Sequence, residues 1–143
     1  MSDVGTDVKI KLVSSIIPTE GERETYEMWL QGVFIEKNGS FYLRYDEVQE
    51  DQHVKTTIKL TEKQSFIMRK GAVNMRLPLN TSFVEHGHYE STYGALPIQT
   101  KTHQLQVERS KGSGVFKTQY DLIIGGNSVG NYTLEITFTE VKS

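Results

Sequence analysis

The sequence contains no cysteine, and this absence excludes several kinds of site at once. A chain of 143 residues without cysteine has no disulfide framework, no thiolate-bound zinc or iron–sulfur cluster and no thiol nucleophile. A domain of this length buries about two-thirds of its unfolded surface, so it folds without such support. The lack of cysteine also fits a reducing compartment.

The sequence also lacks an excess of one charge and any long apolar run. Its 16 basic and 18 acidic residues give a formal net charge of −2, which is no footprint for nucleic acid or an anionic membrane. No apolar stretch approaches the length of a membrane span. The acidic N-terminal segment lacks the basic and apolar regions of a signal peptide. We therefore expect a cytoplasmic protein without nucleic-acid or membrane partners. We expect a single domain over residues 1–143, in which residues 1–7 form a flexible tail.

What the sequence does contain is an alternation of apolar and polar residues that repeats from end to end. Period two is typical of strands with one buried face, and no segment shows the helical spacing of 3.6 over ten or more residues. The pair Asn38-Gly39 indicates a tight hairpin turn with positive φ angles. The apolar parity changes between Ile98 and Leu105, which indicates a β-bulge near Thr102.

These elements predict an all-β fold made of one antiparallel meander of eight to ten strands. Short turns join antiparallel neighbours, and closing the sheet into a complete or nearly complete barrel removes its exposed edges. Strands of about 8–12 residues suit a tilted barrel. The acidic segment 47–52 is interpreted as a loop, and the seventh strand is expected from Phe83 to about Tyr93.

Several short patterns occur in order along the chain and carry a family resemblance. They are Phe41-Tyr42-Leu43-Arg44-Tyr45, Thr57-Ile58-Lys59-Leu60, Arg69-Lys70-Gly71, Tyr89-Glu90-Ser91-Thr92-Tyr93-Gly94 and the Gly-rich hairpin at residues 125–130. Together they resemble an uncharacterised bacterial family of lipocalin-like β-barrel proteins. The resemblance covers nearly the whole chain and implies a calycin-type barrel, a class in which many members hold small apolar ligands. It implies no activity and no cofactor, since fold does not fix function.

The sequence supports neither a metal site nor a catalytic centre. His86 and His88 point to the same side of a strand, but Glu90 lies about 13 Å from His86, so a third ligand is missing. Gly112-Ser113-Gly114 is too short for a nucleophile elbow, and the Gly-rich hairpin has no helix behind it to bind phosphate. We therefore predict no catalytic residue, no metal and no cofactor.

Arginine and tyrosine side chains are the best candidates for a ligand site. Arg69 follows Phe66, Ile67 and Met68 in a strand that is apolar on both sides, and a buried guanidinium needs an anion. Five tyrosines share parity with apolar neighbours and are predicted to point into the barrel: Tyr45, Tyr89, Tyr93, Tyr120 and Tyr132. The alternative is that the tyrosines are packed core residues and that Arg69 pairs with an internal carboxylate.

Three functions remain open at this stage. The first is a barrel that binds a small apolar or weakly acidic molecule in its lumen. The second is a structural or protein-interaction module with a filled lumen; a homodimer is compatible with it, but no feature indicates one. The third is an enzyme that uses lumenal Tyr, Arg and carboxylate groups, and it is the least favoured because no pair of residues has a spacing that demands proton transfer.

Overall fold

A computed structural model describes residues 4–49 and 51–141, and this part of the chain forms ten β-strands and no helix. No helix in this range is therefore long and apolar enough to cross a membrane. The strands are β1 (Val4–Pro18), β2 (Glu24–Lys37), β3 (Ser40–Gln49), β4 (Gln52–Lys59), β5 (Gln64–Gly71), β6 (Asn74–Asn80), β7 (Glu85–Ser91), β8 (Gly94–Ser110), β9 (Ser113–Ile124) and β10 (Asn127–Glu140).

The ten strands form one closed antiparallel barrel in which each strand pairs with its neighbours in sequence. The first and last strands, β1 and β10, pair from Val8 opposite Glu140 to Pro18 opposite Gly130, and this ladder closes the sheet. The predicted all-β barrel of eight to ten strands is thereby confirmed. The alternation of side chains places one face of every strand in the lumen and the other in solvent.

Two local features that the sequence predicted are confirmed. Asn38 and Gly39 have φ angles of 52° and 79°, which form the tight turn between β2 and β3. The register of β8 against β9 shifts between Thr102 and Gln104, so the predicted bulge lies there. The Thr118 hydroxyl donates a hydrogen bond of 2.8 Å to the Gln104 carbonyl and fixes the bulged backbone.

The predicted N-terminal tail and the predicted loop at 47–52 are wrong where the structure describes them. Strand β1 already begins at Val4, whose pairing partner is Glu36, and the Asp7 carbonyl also accepts a hydrogen bond from the backbone of Val141. Residues 1–3 of the predicted tail lie outside the described residues. The acidic segment continues β3 to Gln49 and β4 begins at Gln52, because polar residues at a barrel rim are solvated without leaving the ladder.

Phenylalanine rings fill the end of the barrel that carries the β2–β3 turn and the starts of β1 and β9. Phe34 stacks on both Phe41 and Phe138, with centroid distances of 5.5 Å in each case. The Arg109 guanidinium lies 3.9 Å from the centroid of Phe41 and covers the cluster from the solvent side. We call Phe34, Phe41 and Phe138 the aromatic plug, because they close this end of the lumen.

The predicted core of the last hairpin is only partly buried. Phe116, Ile136 and Phe138 are at most 3% exposed, as predicted. Leu122 and Leu134 lie on the same inward face but are half-buried, because they border empty space further along the barrel.

The aromatic plug gives a first testable prediction. Replacing Phe138 with alanine removes a ring that packs against Phe34 and Gly114, and we expect a loss of about 3–5 kcal/mol in the free energy of unfolding. Urea denaturation followed by circular dichroism measures this loss. Phe83→Ala is the control, because Phe83 is 70% exposed and its removal leaves no cavity. Equal stability of the two variants would contradict the role of the plug.

Candidate functional site

The half of the barrel opposite the aromatic plug is hollow. It holds a cavity of about 470 Å³, here the first lobe, and a cavity of about 410 Å³, here the second lobe. The two lobes share five lining residues, which are Ser14, Arg69, Met75, Leu77 and Tyr120. The volumes lie within the range of about 300–1,000 Å³ that is typical of small-molecule sites. This half of the lumen, which we call the open lumen, is the candidate site.

The walls of the open lumen are mostly apolar. The first lobe is lined by Leu12, Ile16, Met28, Ile67 and Leu134 on its apolar side. The second lobe is lined by Leu96, Ile98, Leu122 and Ile124. These side chains come from strands whose inward positions hold aliphatic residues, and polar groups interrupt them only at a few places. Such a surface favours the apolar part of a ligand.

Arg69 and Glu47 form an ion pair inside the first lobe. The Arg69 Nη2 atom donates a hydrogen bond of 3.2 Å to Glu47 Oε2. Both side chains are partly shielded, with exposures of 31% for Arg69 and 20% for Glu47. Antiparallel pairing brings them together, since Arg69 lies opposite Thr56 on β4 and Thr56 lies opposite Tyr45, two residues before Glu47. Pairing with an internal carboxylate was the alternative that the sequence analysis gave for Arg69, and the structure shows this pairing.

Tyrosine hydroxyls add neutral polar groups to the same space. Burial raises the pKa of Tyr45 well above its ordinary value, and the Glu47 carboxylate acts in the same direction. Burial likewise raises the pKa of Tyr120, with a smaller contribution from Tyr132. The rings of Tyr120 and Tyr132 stack with a centroid distance of 5.3 Å and an angle of 5° between planes. Because burial raises their pKa, the hydroxyls of Tyr45 and Tyr120 stay protonated at neutral pH.

Thr56 carries a polar atom that its surroundings leave incompletely satisfied. The residue is 1% exposed, and its Oγ1 atom has no hydrogen-bond partner of normal geometry among the described residues. The hydroxyl still lies close enough to Tyr45 to lower the pKa of that phenol slightly against the effect of burial.

A break in the sheet borders the first lobe. Strand β2 pairs with β3 only from Gly32 to Lys37, whereas its pairing with β1 continues to Glu24. A side chain at position 32 would meet the Arg44 carbonyl at 2.5 Å and Ile10 Cδ1 at 2.6 Å, so the strands approach closely there only because the residue is glycine. Beyond Gly32 the strands separate, and Tyr26, Glu27 and Met28 of β2 line the lobe.

The structure brings five of the six predicted site residues to the open lumen. Arg69 and Tyr120 line both lobes, Tyr45 lines the first, and Tyr89 and Tyr132 line the second. The predicted inward position of Tyr93 is wrong, because this side chain is 99% exposed. Strand β7 ends at Ser91, and the turn that follows interrupts the alternation on which the prediction relied.

Sequence reasoning missed Glu47, Thr56 and Ser14. Glu47 had the parity of Tyr45 two residues earlier, and that signal was available, but the segment was interpreted as a loop. Thr56 and Ser14 lie at inward positions of strands that were assigned correctly, between Val54 and Ile58 and between Leu12 and Ile16. Their small polar side chains did not distinguish them from ordinary strand residues.

The histidines lie outside the lumen. His86 and His88 are both exposed, and the ring of His86 meets Gln99 at 3.5 Å. His103, at the bulge in β8, pairs with Asp121 at 2.8 Å on the outer surface. Hydrogen bonds from Asn131 and His103 lower the pKa of Asp121, against a raising effect of burial that is larger than either alone. Within residues 4–49 and 51–141, no three His, Asp or Glu side chains meet as a metal site would require.

Comparison with known proteins gives matches that cover most of the chain, and none of them has an assigned function. The family described as "Domain of unknown function (DUF1934)" matches residues 10–136. The "Uncharacterized beta-barrel protein YwiB" of Bacillus subtilis (strain 168) is 29% identical over 126 residues, which cover 88% of this chain and 89% of that protein. The crystal structure of the ywiB protein from Bacillus subtilis has a TM-score of 0.85 and 26% identity, and the match covers 96% of this chain and 94% of that one.

The buried tyrosines give a testable dependence of stability on pH. Because their pKa is raised in the folded state, their contribution to stability is complete below the unfolded value of about 10 and is lost as pH rises above it. In that range, the ionisation of Tyr45 and that of Tyr120 should each lower the free energy of unfolding by about 1.4 kcal/mol per pH unit. Urea unfolding at several alkaline pH values measures the slope. Tyr120→Phe should make it shallower, and the exposed Tyr93→Phe should leave it as in the wild type; an unchanged slope in Tyr120→Phe contradicts the assignment.

Proposed function

The chain belongs to the DUF1934 family, and we propose that it binds a small, mostly apolar molecule with a weakly acidic end in the open lumen. The observation that carries this proposal is the free volume of the two lobes, about 470 and 410 Å³, around one guanidinium. A barrel of this size can be filled by its own side chains, and here they fill the half around the aromatic plug while the two lobes stay open.

The distribution of polar groups supports a ligand with one polar end. Arg69 lines both lobes, so a head group near it has apolar wall on either side. A molecule bound this way buries its hydrocarbon part at about 25 cal/mol per Å² and receives hydrogen bonds from the guanidinium at its end. The protonated hydroxyls of Tyr45 and Tyr120 add donors that carry no charge.

The two alternative functions have less support. A structural module with a filled lumen has no use for lobes of this volume, which leave Leu122 and Leu134 only half-buried. An enzyme would need an acid–base group held at a reacting atom. The two carboxylates that line the first lobe are both in ion pairs, Glu47 with Arg69 and Glu27 with Lys11. We therefore place binding ahead of catalysis.

Titration with saturated fatty acids tests the proposal. Isothermal titration calorimetry with octanoic, decanoic and dodecanoic acid should give saturable binding of one molecule per chain. Native mass spectrometry of protein purified from its own host should show a co-purifying small molecule. The proposal is overturned if none of the three acids binds and the purified protein carries no added mass.

A variant that fills the lumen locates the bound acid. Leu122→Trp places an indole in the second lobe. The indole and the acid then compete for the same space, and overpacking costs about 1–3 kcal/mol. We therefore expect the affinity for dodecanoic acid to fall by about tenfold or more. Thr137→Trp is the matched control, because Thr137 is an exposed position on the next strand. Equal affinity of the two variants would show that the acid binds on the outer surface.

Removing the guanidinium tests the polar end. Arg69→Met keeps much of the side chain's volume and deletes the charge, so the affinity for decanoic acid should fall by about tenfold, the effect of one lost charge-assisted hydrogen bond. The comparison with wild type uses the same calorimetric titration. Equal affinities would exclude Arg69 as the anchor of the head group.

A further inference from the structure

We propose that Glu47 makes the open lumen selective for a head group that has no net charge and carries both a hydrogen-bond donor and an acceptor. A carboxamide and an undissociated carboxylic acid are two such groups. This inference rests on the proposed function. It adds that the weakly acidic end of the ligand binds in its uncharged form.

The Arg69–Glu47 pair supplies both kinds of hydrogen-bonding site. A guanidinium has five N–H donors, and among the described residues one hydrogen bond from Arg69 goes to Glu47, at 3.2 Å. A carboxylate has about four acceptor positions, of which this contact uses one. A head group beside the pair therefore meets N–H donors from Arg69 and free lone pairs from Glu47. A head group that only accepts hydrogen bonds would use the Arg69 donors and leave the Glu47 lone pairs without a donor.

A charged carboxylate on the ligand meets a cost at this place. The ion pair is already neutral, so a second anion brings an uncompensated negative charge into a partly shielded space. Two carboxylates that share one site raise the pKa of one of them, and a single proton is then held between the pair. The acid should therefore bind in its undissociated form, or Glu47 should take up a proton when it binds.

Few other titratable groups face Glu47 across the first lobe. Tyr45 lies on its own strand, Tyr26 and Glu27 come from β2, Arg69 from β5 and Tyr120 from β9. The remaining described residues that line this lobe are apolar or carry hydroxyls only. The buried phenols stay neutral at neutral pH, and Glu27 is half-exposed in a 3.2 Å ion pair with Lys11. Glu47 is therefore the carboxylate that competes with an acidic ligand. Glu135, which lies in a 3.8 Å ion pair with Lys117 and lines neither lobe, is the control.

Octanoic acid and octanamide form a matched pair of probes. The two have similar shape, but the free acid is mostly ionised above about pH 5, whereas the amide stays neutral. As the pH rises by one unit, the affinity of the wild type for the acid should fall by about tenfold, because one proton is taken up with each acid bound. Its affinity for the amide should stay constant. Calorimetry in buffers of different ionisation enthalpy should measure close to one proton taken up per acid bound, a readout that needs no variant.

Glu47→Gln and Glu135→Gln separate the lumenal carboxylate from one outside the lumen. Glu47→Gln removes the competing charge, so the ionised acid should bind directly to Arg69, the pH slope should vanish, and affinity for octanoate at pH 8 should rise by about tenfold or more. Glu135→Gln should behave as wild type. Circular dichroism shows whether both variants fold. If Glu47→Gln does not fold, the measurement of proton uptake by the wild type tests the proposal instead.

The possible failures are distinguishable. If neither octanoic acid nor octanamide binds to any variant at any pH, the proposed function is wrong and this inference falls with it. If the acid binds to wild type without proton uptake and with a flat pH profile, the lumen binds ligands but Glu47 does not select their charge. The same conclusion follows if Glu135→Gln removes the slope as fully as Glu47→Gln does.

Discussion

The ladder between β1 and β10 is the constraint on which the rest of this structure depends. It joins two strands from opposite ends of the chain over eleven residue pairs, from Val8 to Pro18 along β1. All other pairings connect neighbours in sequence and would form equally well in an open sheet. Closure turns one face of that sheet into an interior, because alternate side chains of every strand then point at one another across a lumen. The aromatic plug and the open lumen both exist only in that enclosed space.

The two halves of the interior differ because the inward positions are filled by residues of different kinds. Toward one end they hold Phe34, Phe41, Phe116 and Phe138, whose rings occupy the cross-section and support the barrel by their packing. Toward the other end they hold aliphatic side chains, small hydroxyls and the Arg69–Glu47 pair, which leave volume unfilled. One half is thus packed with aromatic rings, and the other encloses unfilled volume.

The fold could be predicted from the sequence because its signal is repeated. The alternation in strands such as β10 and the turn at Asn38-Gly39 each depend on nearby residues, and the short turns leave few ways to connect ten strands. The site was predictable only in part. Parity placed Arg69 and Tyr120 inward, but it failed at Tyr93, where a turn interrupts the strand, and at Glu47, whose acidic surroundings suggested a loop. The partner of Arg69 comes from a strand two positions away in the sheet, and such cross-strand register is not written in either segment alone.

The separation of β2 from β3 beyond Gly32 has a consequence for how the molecule behaves in a crowded solution. Within the part of the chain that the structure describes, residues Glu24 to Gln31 of β2 pair on one side only, so the barrel presents a short stretch of free strand edge there. Such an edge is a template on which another chain can add a strand and begin to aggregate, and the exposed rings of Tyr26 and Trp29 would favour that contact. Glu24 and Glu27 stand on the same eight residues and would place like charges together if two copies met edge to edge. These carboxylates therefore disfavour contact between two copies along this segment of β2.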